Sequence, residues 1–246
     1  MTGMPSRFAS EGWRTVPFGE RGKPLLQQLV DIILFIPLCL LQAGQVGPID
    51  RIVLRLVKSD TLPPKLEQNY LQLLEQLEAW WEAYEATPPE ESESLFSISG
   101  TTKKKYHKVE GVAYSPTLLL QRDAVTAFTV AMFNGTNLIV HTILHALSIA
   151  SERLGQTTSP PGNSKYHLEQ AIIHSDSILD ISMHHQAKRP NGMDFMRIMF
   201  PLKIVRALSP PKQSQKATEF IKQFHKTNVM PNVMERREGV NYPVYS

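Results

Sequence analysis

Apolar residues recur every three or four positions along much of the chain, which is the spacing of one face of an α-helix. The pattern is clearest between residues 66 and 84, where glutamates occupy the opposite side, and proline pairs at Pro63–Pro64 and Pro88–Pro89 bound the segment. It predicts an amphipathic helix that another helix must cover. Its apolar positions are Leu66, Tyr70, Leu73, Leu74, Leu77, Trp81 and Tyr84, with Trp80 adding aromatic area.

A helix is also predicted to begin near Pro24, a residue tolerated in a first turn, and to end toward Gly44. It contains the most apolar stretch of the chain, residues 29–41. That stretch is shorter than the roughly 20 residues of a bilayer span, and it includes Asp31 and Pro37. We therefore expect a buried helix and no membrane insertion. The next predicted helix places Arg51, Arg55 and Lys58 on one side, opposite Ile52 and Leu56.

The second half of the chain continues the helical pattern. A long apolar segment follows Ser115, a candidate N-cap, and Pro116, a candidate first helical residue. Gly135 lies inside it, so we expect one bent helix or two. Residues 165–186 predict a helix, and a last helix is expected from about residue 213 to 226. The apolar positions are Leu168, Ile172, Leu179 and Met183 in the former, and Ala217, Phe220, Ile221 and Phe224 in the latter.

Between these two helices, "FMRIMFPLKIVRAL" places Pro201 inside a strongly apolar run. Proline has no amide hydrogen and its ring presses on the carbonyl four residues back, here that of Arg197, so a helix either begins near Pro201 or bends there. Apolar residues on both sides favour a bent, buried helix, with Arg197, Lys203 and Arg206 reaching outward on their apolar stems. A basic rim for an acidic partner is a second interpretation of the three cations.

No segment alternates with the period of a strand. We therefore predict an all-α fold, a single multi-helix bundle with a kinked late helix, over residues 24–230. Residues 1–23 are rich in glycine, serine, arginine and proline and are expected to form a flexible arm. Residues 231–246 are assigned to a C-terminal tail.

Composition argues against several classes of function and of binding site. The 246 residues are 42% hydrophobic and 20% charged, with a net charge of +3, which is too small to argue for a nucleic-acid surface. Cys39 is the one cysteine, so neither an internal disulfide nor a thiolate zinc site can form. The first 24 residues do not have the pattern of a secretory signal. Consequently the glycosylation sequon at Asn134 is interpreted as accidental. The basic run Lys103–Lys105 is interpreted as either solvated surface charge or a nuclear import signal.

Two histidines are the weak candidates for a metal site. His141 and His145 are four residues apart and share a helical face, but Thr142 stands where a zinc protease has glutamate. No neighbouring residue offers a third ligand, so we expect packed core histidines. His174, Asp176 and Asp180 lie on the next helix without a suitable nucleophile, and the dipole of that helix accounts for His184 and His185 in its last turn. The sequence predicts no catalytic residue, no cofactor and no enzyme.

The late segment resembles one helix of the regulatory domain of fungal zinc-binuclear-cluster transcription factors. In that family an apolar run leads to a Phe-Pro-Leu-(Arg/Lys) step, which Phe200, Pro201, Leu202 and Lys203 match. "AIIHSDSILDISMHHQ" before Gly192–Met193 and "SQKATEFIKQFHKTNV" after it are similar to the adjoining helices. "LLQQLVDIILFIPLCLLQA" and "LLEQLEAWWEAYEA" are similar to the early helix pair. The resemblance covers residues 24–230.

The resemblance implies a nuclear transcription-regulator domain that acts through a protein partner, with an effector as a further candidate ligand and a metabolic gene cluster as a candidate target. Family members usually begin with six cysteines that hold two zinc ions at DNA, and this chain has Cys39 only, so direct DNA binding is not expected. The alternative is a small helical enzyme or ligand-binding protein with a pocket lined by His141 and His145. A homodimer through "LEQLEAWWEAYE" is a further prediction.

Overall fold

The computed structural model describes residues 23–63, 65–86, 124–155, 163–187 and 192–228. Within these residues the backbone forms seven helices and no strand, which confirms the predicted all-α fold. The helices are α1 (Leu25–Gln42), α2 (Ile49–Lys58), α3 (Leu66–Ala86), α4 (Ala124–Arg153), α5 (Asn163–Ala187), α6 (Gly192–Leu208) and α7 (Pro211–Asn228).

Helix α4 is the centre of the bundle. It contacts α1, α2, α3, α5 and α6, and most of its described residues are buried. It continues through Gly135 as one helix. A β-carbon at Gly135 would lie 3.3 Å from Cδ1 of Ile204 and 4.0 Å from Cα of Pro201. Glycine at position 135 therefore allows α6 to approach α4 closely. It does not interrupt the helix, as the sequence had suggested.

Helices α1 and α3 pair and close one side of α4. The predicted face of α3 is confirmed: Leu66, Tyr70, Leu73, Leu77, Trp80 and Trp81 are buried, and Leu74 and Tyr84 are partly so. Trp80 donates a hydrogen bond from Nε1 to the carbonyl of Leu25 at 2.7 Å, and its ring stacks on Phe133 of α4 at a centroid distance of 5.4 Å. Because this face packs inside the bundle, a dimer through α3 would have to form on its exposed glutamates.

Two helices have the length and hydropathy of a membrane span, Leu25–Gln42 and Thr126–Arg153, among the described residues. The second is 89% buried, as a core helix is. Helix α1 is one-third buried, so the expectation of a buried helix holds for the side that carries Leu29, Ile32 and Ile36. Asp31, also buried, forms an ion pair with Lys23. These features are weak evidence against a membrane protein.

The predicted apolar face of α5 was wrong. Of its four positions only Leu179 is buried, while Leu168 and Met183 are exposed. The buried side of α5 instead combines two histidines, three serines and an alanine with three aliphatic residues. The buried serine hydroxyls bond to carbonyls of their own helix, as Ser175 does to Ala171. The buried residues are His167, Ala171, His174, Ser175, Ser177, Ile178, Leu179, Ile181 and Ser182.

The late segment forms one helix, α6, with Pro201 inside it, as one of the two interpretations predicted. Ile198, Leu202 and Val205 are buried, whereas Lys203 and Arg206 are exposed. The predicted last helix is also present, and α7 buries Ala217, Ile221 and Phe224 against α6 and α5.

Several predictions lie outside the described residues. These are the arm up to residue 22, the tail, the basic run Lys103–Lys105 and the helix start at Ser115 and Pro116. The side chains of His184 and His185 lie outside them as well. The domain boundaries and the nuclear import signal therefore stay predictions.

Candidate functional site

The most distinctive chemistry lies between α4 and α5, where three histidines and an asparagine are buried together. His141 and Asn134 come from α4, two helical turns apart, and His167 and His174 come from α5 at the same spacing. Seven residues make nearly two full turns, so each pair lies on one face of its helix. We call these four residues the histidine cluster. It is the polar centre of the α4–α5 interface.

The cluster is held by two hydrogen bonds across the interface. Nδ1 of His141 lies 3.0 Å from Nδ1 of His167, and Nδ1 of His174 lies 2.8 Å from Oδ1 of Asn134. Since an amide oxygen only accepts, Nδ1 of His174 donates. Nδ2 of Asn134 donates to the carbonyl of Val130 at 2.8 Å. Asn134 is thus fully buried and bonded in the fold, which agrees with an accidental sequon.

Aromatic contacts surround these hydrogen bonds. The rings of His141 and His174 stack at 5.6 Å with planes 18° apart, and Phe133 meets His174 edge-on at 6.4 Å. Tyr166 covers the outer side, with its ring 6.1 Å from that of His141 and 5.3 Å from that of His167. The cluster is therefore enclosed by rings and has little contact with water.

The surroundings favour the neutral form of each clustered histidine. Burial, with the neighbouring His174 and His167, lowers the pKa of His141 to about 2. Burial lowers the pKa of His174 to about 4. The pKa of His167 is lowered by burial and by His145, against an opposing effect of Glu67. Uncharged rings can donate at one nitrogen and accept at the other, which the contact between His141 and His167 requires.

His145, the second predicted metal candidate, is not part of the cluster. Its Nδ1 lies 2.8 Å from the carbonyl oxygen of Ser164 and 3.2 Å from the Ser164 hydroxyl, at the start of α5. The four-residue spacing does place both histidines on the side of α4 that faces α5, but each meets a different part of that helix. They do not form a common site.

A metal ion has no complete set of ligands here. Among the described residues, no group of three or more histidine, cysteine, aspartate or glutamate side chains is arranged to hold one. The Nδ1 atoms of His141 and His167 face each other, while that of His174 is turned to Asn134. Nε2 of His167 is buried and forms no hydrogen bond within the described part of the chain. Asp176, on the same helix as His174, accepts a hydrogen bond from Gln213 of α7.

We predict that replacing His141 by alanine lowers the free energy of unfolding by about 2–5 kcal/mol, as for other large buried side chains. His145→Ala should cost less because His145 is only partly buried. Chemical denaturation followed by circular dichroism measures both. Zinc or a chelator should leave the melting temperature of the wild type unchanged. A zinc-dependent rise that His141→Ala removes would contradict the structural role of the cluster.

The sequence offered only part of this site. The four-residue spacing indicates His141 and His145, and the sequence associates His174 only with the acids of its own helix. The structure adds His167 and Asn134, which the sequence pattern does not indicate as members of a site. The available signal was the pair of intervals, seven residues from Asn134 to His141 and seven from His167 to His174. Matching intervals on successive helices can align polar residues across one interface.

Comparison with protein-family models, with curated proteins and with solved structures gives no match for this chain. The similarity to the regulatory domain of zinc-binuclear-cluster factors therefore rests on the quoted residues and on their order along the chain.

Proposed function

We propose that the chain is a transcription-regulator domain without its own zinc-cluster DNA reader, which acts in the nucleus by binding a protein partner. The observation that carries the proposal is the order of the segments that resemble the family. The segments that resemble the family lie on the apolar helix α1, the tryptophan-bearing α3, the histidine-bearing α5, the proline-containing α6 and α7, in that order along the chain. The resemblance, rather than the site geometry, supplies the function.

The chemistry of the site supports a role without catalysis. The buried histidines bond to each other and to Asn134, and their pKa values are lowered by burial. A general base would need to reach a substrate and to titrate near the working pH. A cluster that is sealed by rings and stays neutral instead contributes a specific contact between α4 and α5. On this account the bundle presents its outer faces to a partner.

A tethering experiment tests the proposal. The chain is fused to an unrelated DNA-binding domain in a fungal host, and transcription of a reporter that carries the cognate site is measured. We expect a change in reporter transcription, upward or downward, that depends on the fused chain. In gel-shift assays the chain without the fusion should show no sequence-specific DNA binding. Reporter transcription that is the same with and without the fused chain, at equal nuclear levels of the DNA-binding domain, would contradict the proposal.

A second candidate function is a ligand-binding protein that uses the histidine cluster. The observation in its favour is Nε2 of His167, a buried nitrogen with no hydrogen-bond partner in the described residues. A ligand with one polar group could satisfy that atom. The two functions separate by experiment, since a ligand at the cluster would raise the melting temperature of the wild type and not that of His167→Phe. If the protein instead binds a partner on an outer face, His167→Phe should leave the affinity for that partner unchanged as long as the variant is folded.

A further inference from the structure

We infer that α2 and the turn before it dock an acidic peptide that carries apolar side chains. The inference deepens the proposed function, on which it rests only for the expectation that a protein partner exists. We call the docking site the α2 surface. Its residues are Val46, Arg51, Leu54, Arg55 and Lys58.

The placement of the α2 surface follows from the amphipathic pattern of the helix. Arg51, Leu54, Arg55 and Lys58 are spaced by three and four residues and therefore share one face. The opposite face is buried against the bundle through Ile52 and Leu56, and α2 contacts both α4 and α6. The outer face is thus held on a fixed helix. A helix of 10 residues is about 15 Å long, which suits one short peptide.

The α2 surface exposes apolar area that the fold does not use. Leu54 is 60% exposed and Val46 49% exposed, the former being the most exposed large apolar side chain of the described residues. The turn that carries Val46 is fixed against the helix, because Nη2 of Arg55 donates a hydrogen bond to the carbonyl of Val46 at 2.6 Å. Val46 and the middle of α2 are thereby kept together on one side of the molecule.

The cations around these apolar residues lack acidic partners. Among the described residues, Arg51, Arg55 and Lys58 form no ion pair. The acids adjacent in sequence are Asp50, in the first turn of α2 where it suits the helix dipole, and Asp60, which lies 3.8 Å from Arg153. A positive patch with an apolar centre is complementary to a peptide with acidic and bulky apolar side chains.

A neighbouring helix also carries exposed cations. Helix α6 contacts α2 and exposes Lys203 and Arg206. The glutamates Glu75, Glu78, Glu82 and Glu85 lie on the exposed side of α3 instead. A nucleic acid would use the cations but would leave Leu54 and Val46 in contact with phosphates and water. The combination of charge and apolar area therefore favours a peptide.

Fluorescence anisotropy with a synthetic probe tests the inference on the full chain. The probe is a labelled peptide of about 15 residues, enough to cover α2 in an extended or helical form, built from Asp, Glu, Leu and Phe. Arg51→Glu and Leu54→Ser should each raise its Kd by at least about fivefold, the usual threshold for a contributing interface residue. Added salt should weaken binding as well.

Matched control variants lie elsewhere on the surface. Lys216→Glu on α7 makes the same change from cation to anion, and Met183→Ser on α5 removes an apolar side chain that is 50% exposed, compared with 60% for Leu54. Both should leave the Kd within about twofold of the wild type, because neither residue belongs to the α2 surface. A peptide with serine in place of Leu and Phe should bind more weakly than the probe.

Several results would overturn the inference. They are no binding of the probe to the wild type, equal weakening by the control variants, and binding of the serine peptide or of duplex DNA as tight as that of the probe. A concentration-dependent dimer that Leu54→Ser abolishes, seen by light scattering, would assign the surface to a second copy instead. If the probe fails to bind while the tethered reporter responds, only the docking surface is wrong. If the probe binds and the reporter is silent, only the regulatory function is wrong.

Discussion

Mild acid is expected to unfold the protein, with a steep loss of stability below pH 6.5. Two buried histidines have pKa values lowered from 6.5, to about 2 for His141 and about 4 for His174. Between those values and 6.5 the unfolded chain binds protons that the folded chain does not. The stability contributed by neutral histidines is therefore complete above pH 6.5 and is lost as the pH falls. His167, whose pKa is also lowered, acts in the same direction.

The expected size of the effect is large. Each histidine in this window removes about 1.4 kcal/mol of unfolding free energy per pH unit. His141 and His174 together would remove about 5 kcal/mol by pH 4.5, which is comparable to the total stability of many domains. Protonation also disrupts contacts directly, because two protonated Nδ1 atoms of His141 and His167 would both be donors at 3.0 Å.

Urea denaturation at a series of pH values measures this dependence. His174→Phe keeps a ring of similar size, and the slope of stability against pH should fall by about 1.4 kcal/mol per pH unit, one proton fewer. Lys216→Ala, at an exposed site of α7, should leave the slope as in the wild type. A stability that stays level from pH 7 to pH 5 would show that the histidines are not buried together.

Trp80→Ala is expected to be strongly destabilising. Trp80 is 3% exposed and links three helices through its bond to Leu25 and its stacking on Tyr84 and Phe133. Loss of a buried tryptophan costs about 3–5 kcal/mol. For a chain of this size that corresponds to a fall in melting temperature of roughly 6–20 °C.

Two variants separate the causes of that loss. Trp80→Phe keeps an aromatic ring and removes the N–H donor, so it should cost less than the alanine variant. Glu78→Ala, exposed on the same helix, should change stability by no more than about 0.5 kcal/mol. Differential scanning calorimetry provides all three values. A change of less than about 1 kcal/mol for Trp80→Ala would mean that α3 does not pack on α1 and α4 as described.

Helix type and position could be predicted from the sequence where one face is apolar and the other charged. In α3 the glutamates mark the exposed side, so the buried stripe was correctly assigned. In α2 the cations mark the outer face in the same way. One face of each of these helices is in contact with water, so the two faces differ in residue type and can be told apart in the sequence.

The pattern was insufficient where both sides of a helix meet protein or where a polar side is buried. In α5 the apolar residues Leu168 and Met183 are exposed, whereas His167 and His174 are inside. The histidines are accommodated because they find partners on α4, and that pairing depends on how two helices are aligned in three dimensions. Likewise Gly135 suggested a break within α4, but its function is the close contact with Pro201 and Ile204 of α6.

We propose that the folded bundle itself regulates transcription. The most direct test is the tethered reporter, measured for the wild type and for Trp80→Ala at one temperature between their two melting temperatures. We expect that the wild type changes reporter transcription and that Trp80→Ala, at equal nuclear abundance, loses the effect in proportion to its unfolded fraction. A wild type without effect, or an unfolded variant as active as the wild type, would contradict the claim.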